Sequence, residues 1–323
     1  MTTTTMASVG PTTAHLQQEI LRLKRQRNAV LLAHTYQIGD IQDIADVVGD
    51  SLSLSQAAAR TDAEVIVFCG VHFMAETAAI LCPAKTVLIP DLDAGCSLAA
   101  SINADQLRAW KAEHPDAVVV SYVNTTAEVK AESDYCCTSS NAERVIRAIP
   151  EDRKILFLPD MYLGAYLREV TGRPIEIWAG ECHVHAAIKP QFVSDRLAQY
   201  PDAELLVHPE CGCVSSTLHG LAKGTINREK TRVLSTGGMI KHAAQSNARQ
   251  FIVATEIGVL HPMQKANPEK TFIPIDEEAS CRYMKMITLN NVLRSLQEMT
   301  YPVTVAPEIA ARARTAIDRM VAL

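Results

Sequence analysis

The chain has 323 residues, enough for two or three domains of the usual ~100–150 residues. Hydrophobic residues make up 48% and charged residues 21%, and no apolar run approaches the ~18 residues that would span a bilayer, so a helical membrane protein is excluded. A net charge of −5 without a lysine–arginine cluster argues against nucleic acid as a partner, and nine cysteines, an odd number, argue against a full disulfide framework.

The opening MTTTTMASVGPTTA lacks the basic and apolar regions of a signal peptide and is expected to be a disordered leader, with the cytoplasm as compartment. After it the sequence repeats. Three successive blocks each carry four β-branched-rich strand candidates separated by helical patterns, in the same order. In the first block AVLLAHTYQ ends in His34 and Tyr36, GDSLSLSQAA puts Ser51 before a helix, EVIVFCGVHFMAE is a third strand, and TVLIPDLDAGCSLA carries Cys96 beyond a fourth. In the second, AVVVSYVNT ends in Tyr122 and Asn124, CCTSSNAERVI puts Ser139 before a helix, KILFLPDMYLGAY follows, and IEIWAGECHVHA carries Cys182. In the third, ELLVHPEC ends in His208 and Glu210, LSTGGMIKHAA brings Thr236 to a helix start, QFIVATEIGVLHP follows, and TFIPIDEEASCRYM carries Cys281. The third block is longer, with its extra residues around HGLAKGTINREK, where Gly, Lys and Asn imply a loop. The segment from Asn290 is helical in pattern and is expected to pack back on the first domain.

Strands alternating with helices imply parallel sheets covered on both faces. The expected fold is α/β: three homologous three-layer α/β/α domains with parallel sheets, over residues 15–97, 98–184 and 185–289, with 290–323 returning to the first. Ligands of such sheets bind outside the carboxyl ends of the strands. A pseudo-threefold arrangement that turns those ends together would gather the polar pairs, the hydroxyls and the three cysteines around one central active site.

A lone cysteine at a strand end is usually a small buried hydrophobe, but three at equivalent repeat positions point to metal ligation. Three thiolates without a fourth suit a 4Fe-4S cluster with one open iron, able to act as a Lewis acid; zinc with a water is the competing reading. Cys69 and Cys82 read as buried. Of Cys136 and Cys137 one reads as core and the other as near the cavity, while Cys211 and Cys213 are too close for an unstrained disulfide. His208 and Glu210, two apart on a strand, share a face and form a candidate acid–base pair, with Glu210 the proton acceptor. Ser139 and Thr236 at helix starts suit an anion such as phosphate, or are ordinary caps. His183 reads as a cavity residue and His183/His185 as weak evidence for zinc. Met74 and Met161 read as core, and Lys241, Lys265 and Arg282 as solvated surface.

Taken together, AHTYQ, QDIADVVGDSL, CGVHFMAE, PDLDAGCSLA, YVNTTAEVKAESDYCCTSSNA, FLPDMYLG, GECHVH, HPEC, STGGMI, ATEIGVLHPM and CRYMKMITL resemble the quinolinate synthase family, from about His34 to Leu296. The resemblance implies condensation of iminoaspartate with dihydroxyacetone phosphate to quinolinate, with loss of phosphate and two waters, in NAD biosynthesis. It implies a 4Fe-4S cluster on Cys96, Cys182 and Cys281, His34 and Ser51 on a carboxylate, and Tyr36, Tyr122 and Asn124 around the substrate. Ser139 and Thr236 would hold phosphate or carboxylate oxygens, and His208 with Glu210 would assist proton transfer. A transient contact with the enzyme that supplies iminoaspartate is a further expected partner. Some members carry a C-x-x-C-x-x-C run ending at the last ligand; here Ile275 and Glu278 stand at those positions, so a disulfide switch there is not expected. A non-catalytic iron-sulfur sensor or electron carrier is the alternative, and a zinc hydrolase or aldolase using His208 and Glu210 a second.

Overall fold

The computed structural model describes residues 12–323. Residues 1–11 of the expected leader lie outside the described residues; of the remainder, Thr12 caps the helix Thr13–Gln26, so the leader reading ran too far. The strands are β1 Ala29–His34, β2 Val47–Gly49, β3 Val65–Cys69, β4 Thr86–Leu88, β5 Val118–Tyr122, β6 Tyr135–Cys137, β7 Ile155–Leu158, β8 Ile175–Ile177, β9 Glu204–Val207, β10 Thr231–Val233, β11 Gln250–Ala254 and β12 Thr271–Pro274. They form three four-stranded parallel sheets of identical order, β2-β1-β3-β4, β6-β5-β7-β8 and β10-β9-β11-β12.

The order explains the sequence pattern. The first and third strands of each block are central and covered on both faces, so their middles are apolar: Leu31, Leu32, Ile66, Val120, Phe157, Leu205 and Ile252 are fully buried. Register then places the chemistry. His34 pairs with Gly49, Tyr122 with Cys137, and Val207 with Val233, so each first-strand end lies beside the start of the helix that follows its neighbour. Those helices are Ser51–Arg60, Ala142–Ala148 and Thr236–Gln245.

The extra length of the third block does lie between its first two strands, but the first part of HGLAKGTINREK is not a loop. Residues up to Lys223 complete a helix, Val214–Lys223, which ends at Gly224 in the left-handed region that favours glycine. At the C-terminus, the helix Leu289–Glu298 packs on Thr13–Gln26 and β3, while Pro307–Ala322 lies against Ala127–Ala131, β6 and His72–Leu81. Arg314 donates to the carbonyls of Ile80 and Leu81 and Arg312 pairs with Glu132, so this last helix straps the first two sheets' helices together.

Candidate functional site

The carboxyl ends of all three sheets face one cavity, and the twelve candidate catalytic, substrate and cluster residues line it: His34, Tyr36, Ser51, Cys96, Tyr122, Asn124, Ser139, Cys182, His208, Glu210, Thr236 and Cys281. Its floor is a buried polar network. β9 stops at Val207, so His208 and Glu210 meet through a turn and not through a shared strand face. In that turn His208 Nδ1 accepts from the Glu210 N–H at 3.4 Å, and in the matching turn after β1 His34 Nδ1 accepts from the Tyr36 N–H at 3.1 Å. An imidazole whose Nδ1 accepts carries its proton on Nε2. Burial pulls the pKa of His34 down to about 4 and that of His208 to about 3, so both rings are neutral Nε2–H donors at pH 7.

Glu210 is held as a carboxylate. Burial opposes its charge, but His208, His185 and the Tyr122 hydroxyl together bring its pKa down to about 2. Tyr122 donates to Glu210 Oε1, and His185 Nδ1 lies 3.4 Å from Glu210 Oε2. His185 Nε2 is 2.9 Å from Thr255 Oγ1, which is 2.6 Å from the Tyr36 hydroxyl, and the ring stacks on His208 at 4.9 Å between centroids. Burial disfavours its charge, yet Cys182 and Glu210 hold its pKa well above the usual value. Burial, and then the nearby Glu210, push both tyrosine hydroxyls up, so Tyr36 and Tyr122 stay protonated.

On one wall the three helix starts converge. Asp50 caps the first and Ser235 the third, and Ser140 bridges them: its Oγ donates to Asp50 Oδ2 at 2.6 Å and is 2.8 Å from Ser235 Oγ. Ser140 is the donor toward both, so its one proton is shared between the Asp50 carboxylate and the Ser235 hydroxyl. Gly237 permits this closeness, since a Cβ there would stand 2.7 Å from Asp50 Oδ2. Ser51, Ser139 and Thr236 sit around this junction with their hydroxyls available to an anion.

The thiols also line the cavity, each on a loop held by the same backbone bond from the end of its third strand. His72 N–H donates to Ala94 O at 2.8 Å, Met161 N–H to Gly180 O at 2.8 Å, and Ile257 N–H to Ala279 O at 2.9 Å; each acceptor lies two residues before a cysteine. Cys96, Cys182 and Cys281 are partly exposed to the cavity. Burial, and then the neighbouring Cys182, push the Cys96 thiol up to about 12, so a cationic group beside it is what would ionise it. A single tetrahedral ion about 2.3 Å from each sulfur would draw them within roughly 3.8 Å of one another. Among the described residues the metal-type trio that close, within 4.8 Å, is His185, His208 and Glu210, a candidate metal site; the three thiols are spread wider. Thiols spaced beyond one ion's reach around a common space fit a polynuclear cluster.

A family model described as Quinolinate synthetase A protein matches residues 18–322. The chain belongs to that family. Among the quinolinate synthases it is similar to, one from Thermus thermophilus is 56% identical over 308 residues, covering 95% of this chain and 97% of the relative. That of Mycobacterium sp. strain KMS is 59% identical, covering 94% and 90%, and that of Pyrobaculum aerophilum 55% identical, covering 94% and 98%.

In this member of the quinolinate synthetase A family several site residues escaped the sequence reading. His183 and His185 sit on a short helix, His183–Ala187, so residues two apart point to different sides: His183 lines the cavity as expected, exposed and 2.7 Å from Ser97 Oγ, whereas His185, for which no such place was expected, is buried in the floor. Asp50, Thr255, Glu256 and Lys285 gave no sequence signal beyond being polar. Met74 is buried but lines the cavity, whereas Met161, expected in the core, is 38% exposed because it opens a surface helix. Cys136 and Cys137 are both fully buried, as are Cys69, Cys211 and Cys213, with Cys82 nearly so, and all nine cysteines are free thiols. Lys265 is exposed and pairs with Asp43 at 2.6 Å, and Arg282 stacks on Tyr283.

Proposed function

We propose that the protein is a quinolinate synthase of NAD biosynthesis, condensing iminoaspartate with dihydroxyacetone phosphate to quinolinate with loss of phosphate and two waters. The observation that carries this reading is the meeting, in one cavity, of three equivalent cysteine loops, a junction of three helix starts and a buried Glu–His–Tyr network. Cys96, Cys182 and Cys281 would hold a 4Fe-4S cluster, which when bound supplies an open Lewis-acidic iron for a substrate hydroxyl.

The chain's own groups divide the remaining work. The Nε2–H groups of His34 and His208 are neutral donors suited to substrate carboxylate or carbonyl oxygens, and Ser51 adds a hydroxyl beside His34. Ser139 and Thr236, with the helix starts behind them, suit the phosphate of the three-carbon substrate. Asn124 and the two tyrosines would orient the intermediate. Glu210, already ionised, would accept the proton next to a departing hydroxyl; its basicity rises once substrate displaces the Tyr122 hydroxyl that stabilises its charge. The divisions 15–97, 98–184 and 185–289 are our assignment of the three repeats, and the cytoplasm is the compartment we expect for this chemistry. A helix long and apolar enough to cross a membrane is absent among the described residues.

The test is anaerobic iron and sulfide analysis alongside quinolinate formation from the two substrates. About four irons per chain with product formation supports the reading. A second reading, a single ion on His185, His208 and Glu210 in a hydrolase or aldolase, has that buried trio in its favour. Zinc without iron or sulfide would select it and sink the first.

A further inference from the structure

Glu256, two residues beyond β11, is fully buried, yet both of its oxygens are engaged. Oε1 accepts from the Cys281 backbone N–H at 2.9 Å and lies 2.8 Å from Lys285 Nζ; Oε2 accepts from the Gly258 N–H at 2.6 Å. Lys285 also donates to the carbonyl of Tyr36, on a different repeat. Gly258 lies against that same turn, where a Cβ would come within 2.8 Å of Tyr36 Cα and 2.9 Å of Thr35 O. Its carbonyl accepts from Gln42 Nε2 at 3.1 Å, which also donates to the carbonyls of Thr35 and Gln37 at 3.0 and 2.8 Å.

An unbroken chain of charge-assisted bonds therefore runs from the Cys281 amide through Glu256 and Lys285 to the Tyr36 carbonyl. Its two ends present a thiol and a phenol to the same cavity. The loops of Cys96 and Cys182 share the backbone latch, but among the described residues no carboxylate holds the cysteine N–H there. A buried carboxylate is costly unless it is paired and hydrogen-bonded, and apolar packing would serve stability as well. Geometry is what this pair supplies and apolar packing would not.

We propose that Glu256 and Lys285 are positioning residues that lock the Cys281 loop to the Tyr36 turn, so that the third cluster ligand and the substrate-facing phenol move as one body. This rests on the cluster reading given above. The test follows loss of cluster absorbance to an iron chelator in reconstituted wild type, Glu256→Gln, Lys285→Met, Lys285→Arg and Glu132→Gln. Glu132 is a buried carboxylate paired with Arg108 and Arg312 outside the cavity, and serves as the control for general destabilisation.

Release about tenfold faster in Glu256→Gln and Lys285→Met is expected, the effect of one charge-assisted hydrogen bond. Lys285→Arg, which keeps the charge and can donate to both partners, should return to within about twofold of wild type. Glu132→Gln should release iron at the wild-type rate whatever its melting temperature. Wild-type rates in both Glu256→Gln and Lys285→Met overturn the proposal, as does equally fast release from Glu132→Gln. Should Glu256→Gln fail to fold, the contrast of Lys285→Met with Lys285→Arg decides. A wild type that takes up no iron and sulfide overturns the cluster reading instead.

Discussion

The fourth-strand ends of the three repeats are built alike, and the first-strand ends are not. Each cysteine loop is latched by one backbone bond whose acceptor lies two residues before the thiol. After the first strands, by contrast, stand His34 and Tyr36, then Tyr122 and Asn124, then His208 and Glu210. Repetition holds where three thiols stand at equivalent positions, and it breaks where the side chains carry different acid, base and hydroxyl chemistry. The ends of the third strands show the same divergence on a smaller scale. Asp160, after β7, caps the helix Met161–Thr171 through Leu163 and leaves Oδ2 without a partner, whereas Glu256, with one more methylene, reaches the cysteine amide of its own repeat.

If the cysteine ends are equivalent, they must fail equivalently, and this is the largest effect expected. Cys96→Ala, Cys182→Ala and Cys281→Ala should each abolish both cluster and quinolinate formation, as read by iron and sulfide analysis. Retention of a full cluster in any one of them would break the equivalence. The first-strand ends should fail differently from one another. Glu210→Gln should keep its iron and lose about 10²- to 10⁴-fold in kcat, the range for removing a general base. A loss no larger than that of His34→Asn would deny Glu210 its separate role.

The junction of helix starts predicts a smaller change, in binding. Asp50→Asn or Ser140→Ala breaks the hydroxyl chain that orients Ser235, so KM for dihydroxyacetone phosphate should rise about tenfold, with kcat changed by less than about threefold. Steady-state kinetics in which KM is unmoved and kcat falls would place these residues elsewhere in the mechanism.

The remaining effect is on stability. His34 has a folded pKa of about 4, below its unfolded value, so the unfolded chain takes up the proton first. Its contribution is intact above the unfolded pKa of ~6.5 and is lost as pH falls toward 4, by roughly 1.4 kcal/mol per pH unit at most. Denaturant melts from pH 7 to 4.5 should therefore show a shallower decline in His34→Asn, whose side-chain oxygen can still accept from the Tyr36 amide. Parallel declines in the two proteins would mean that His34 is charged in the folded state.

Much of this was legible before any coordinates. Apolar runs such as VLLA, VVV and LLV mark the central strands because the middle of a strand covered on both faces is apolar, and the threefold order exposes the cysteines by position alone. The helical Val214–Lys223 is hidden by its terminal Gly-containing stretch, and His185 by the short helix His183–Ala187, whose turn separates it from His183. Glu256 and Lys285 had no local signature at all; Lys285 meets the Tyr36 carbonyl across 249 positions of chain.

The sequence by itself determined which residues form sheets, in what order, and which thiols and strand-end groups the repeat makes equivalent, because these follow from local periodicity and chain topology. Only the tertiary structure decided which of those groups are charged and which are locked together. Protonation depends on burial and on neighbours brought from other repeats, as with Glu210 among Tyr122, His185 and His208. The Glu256–Lys285 lock likewise exists only once the first and third sheets turn their carboxyl ends to the same cavity.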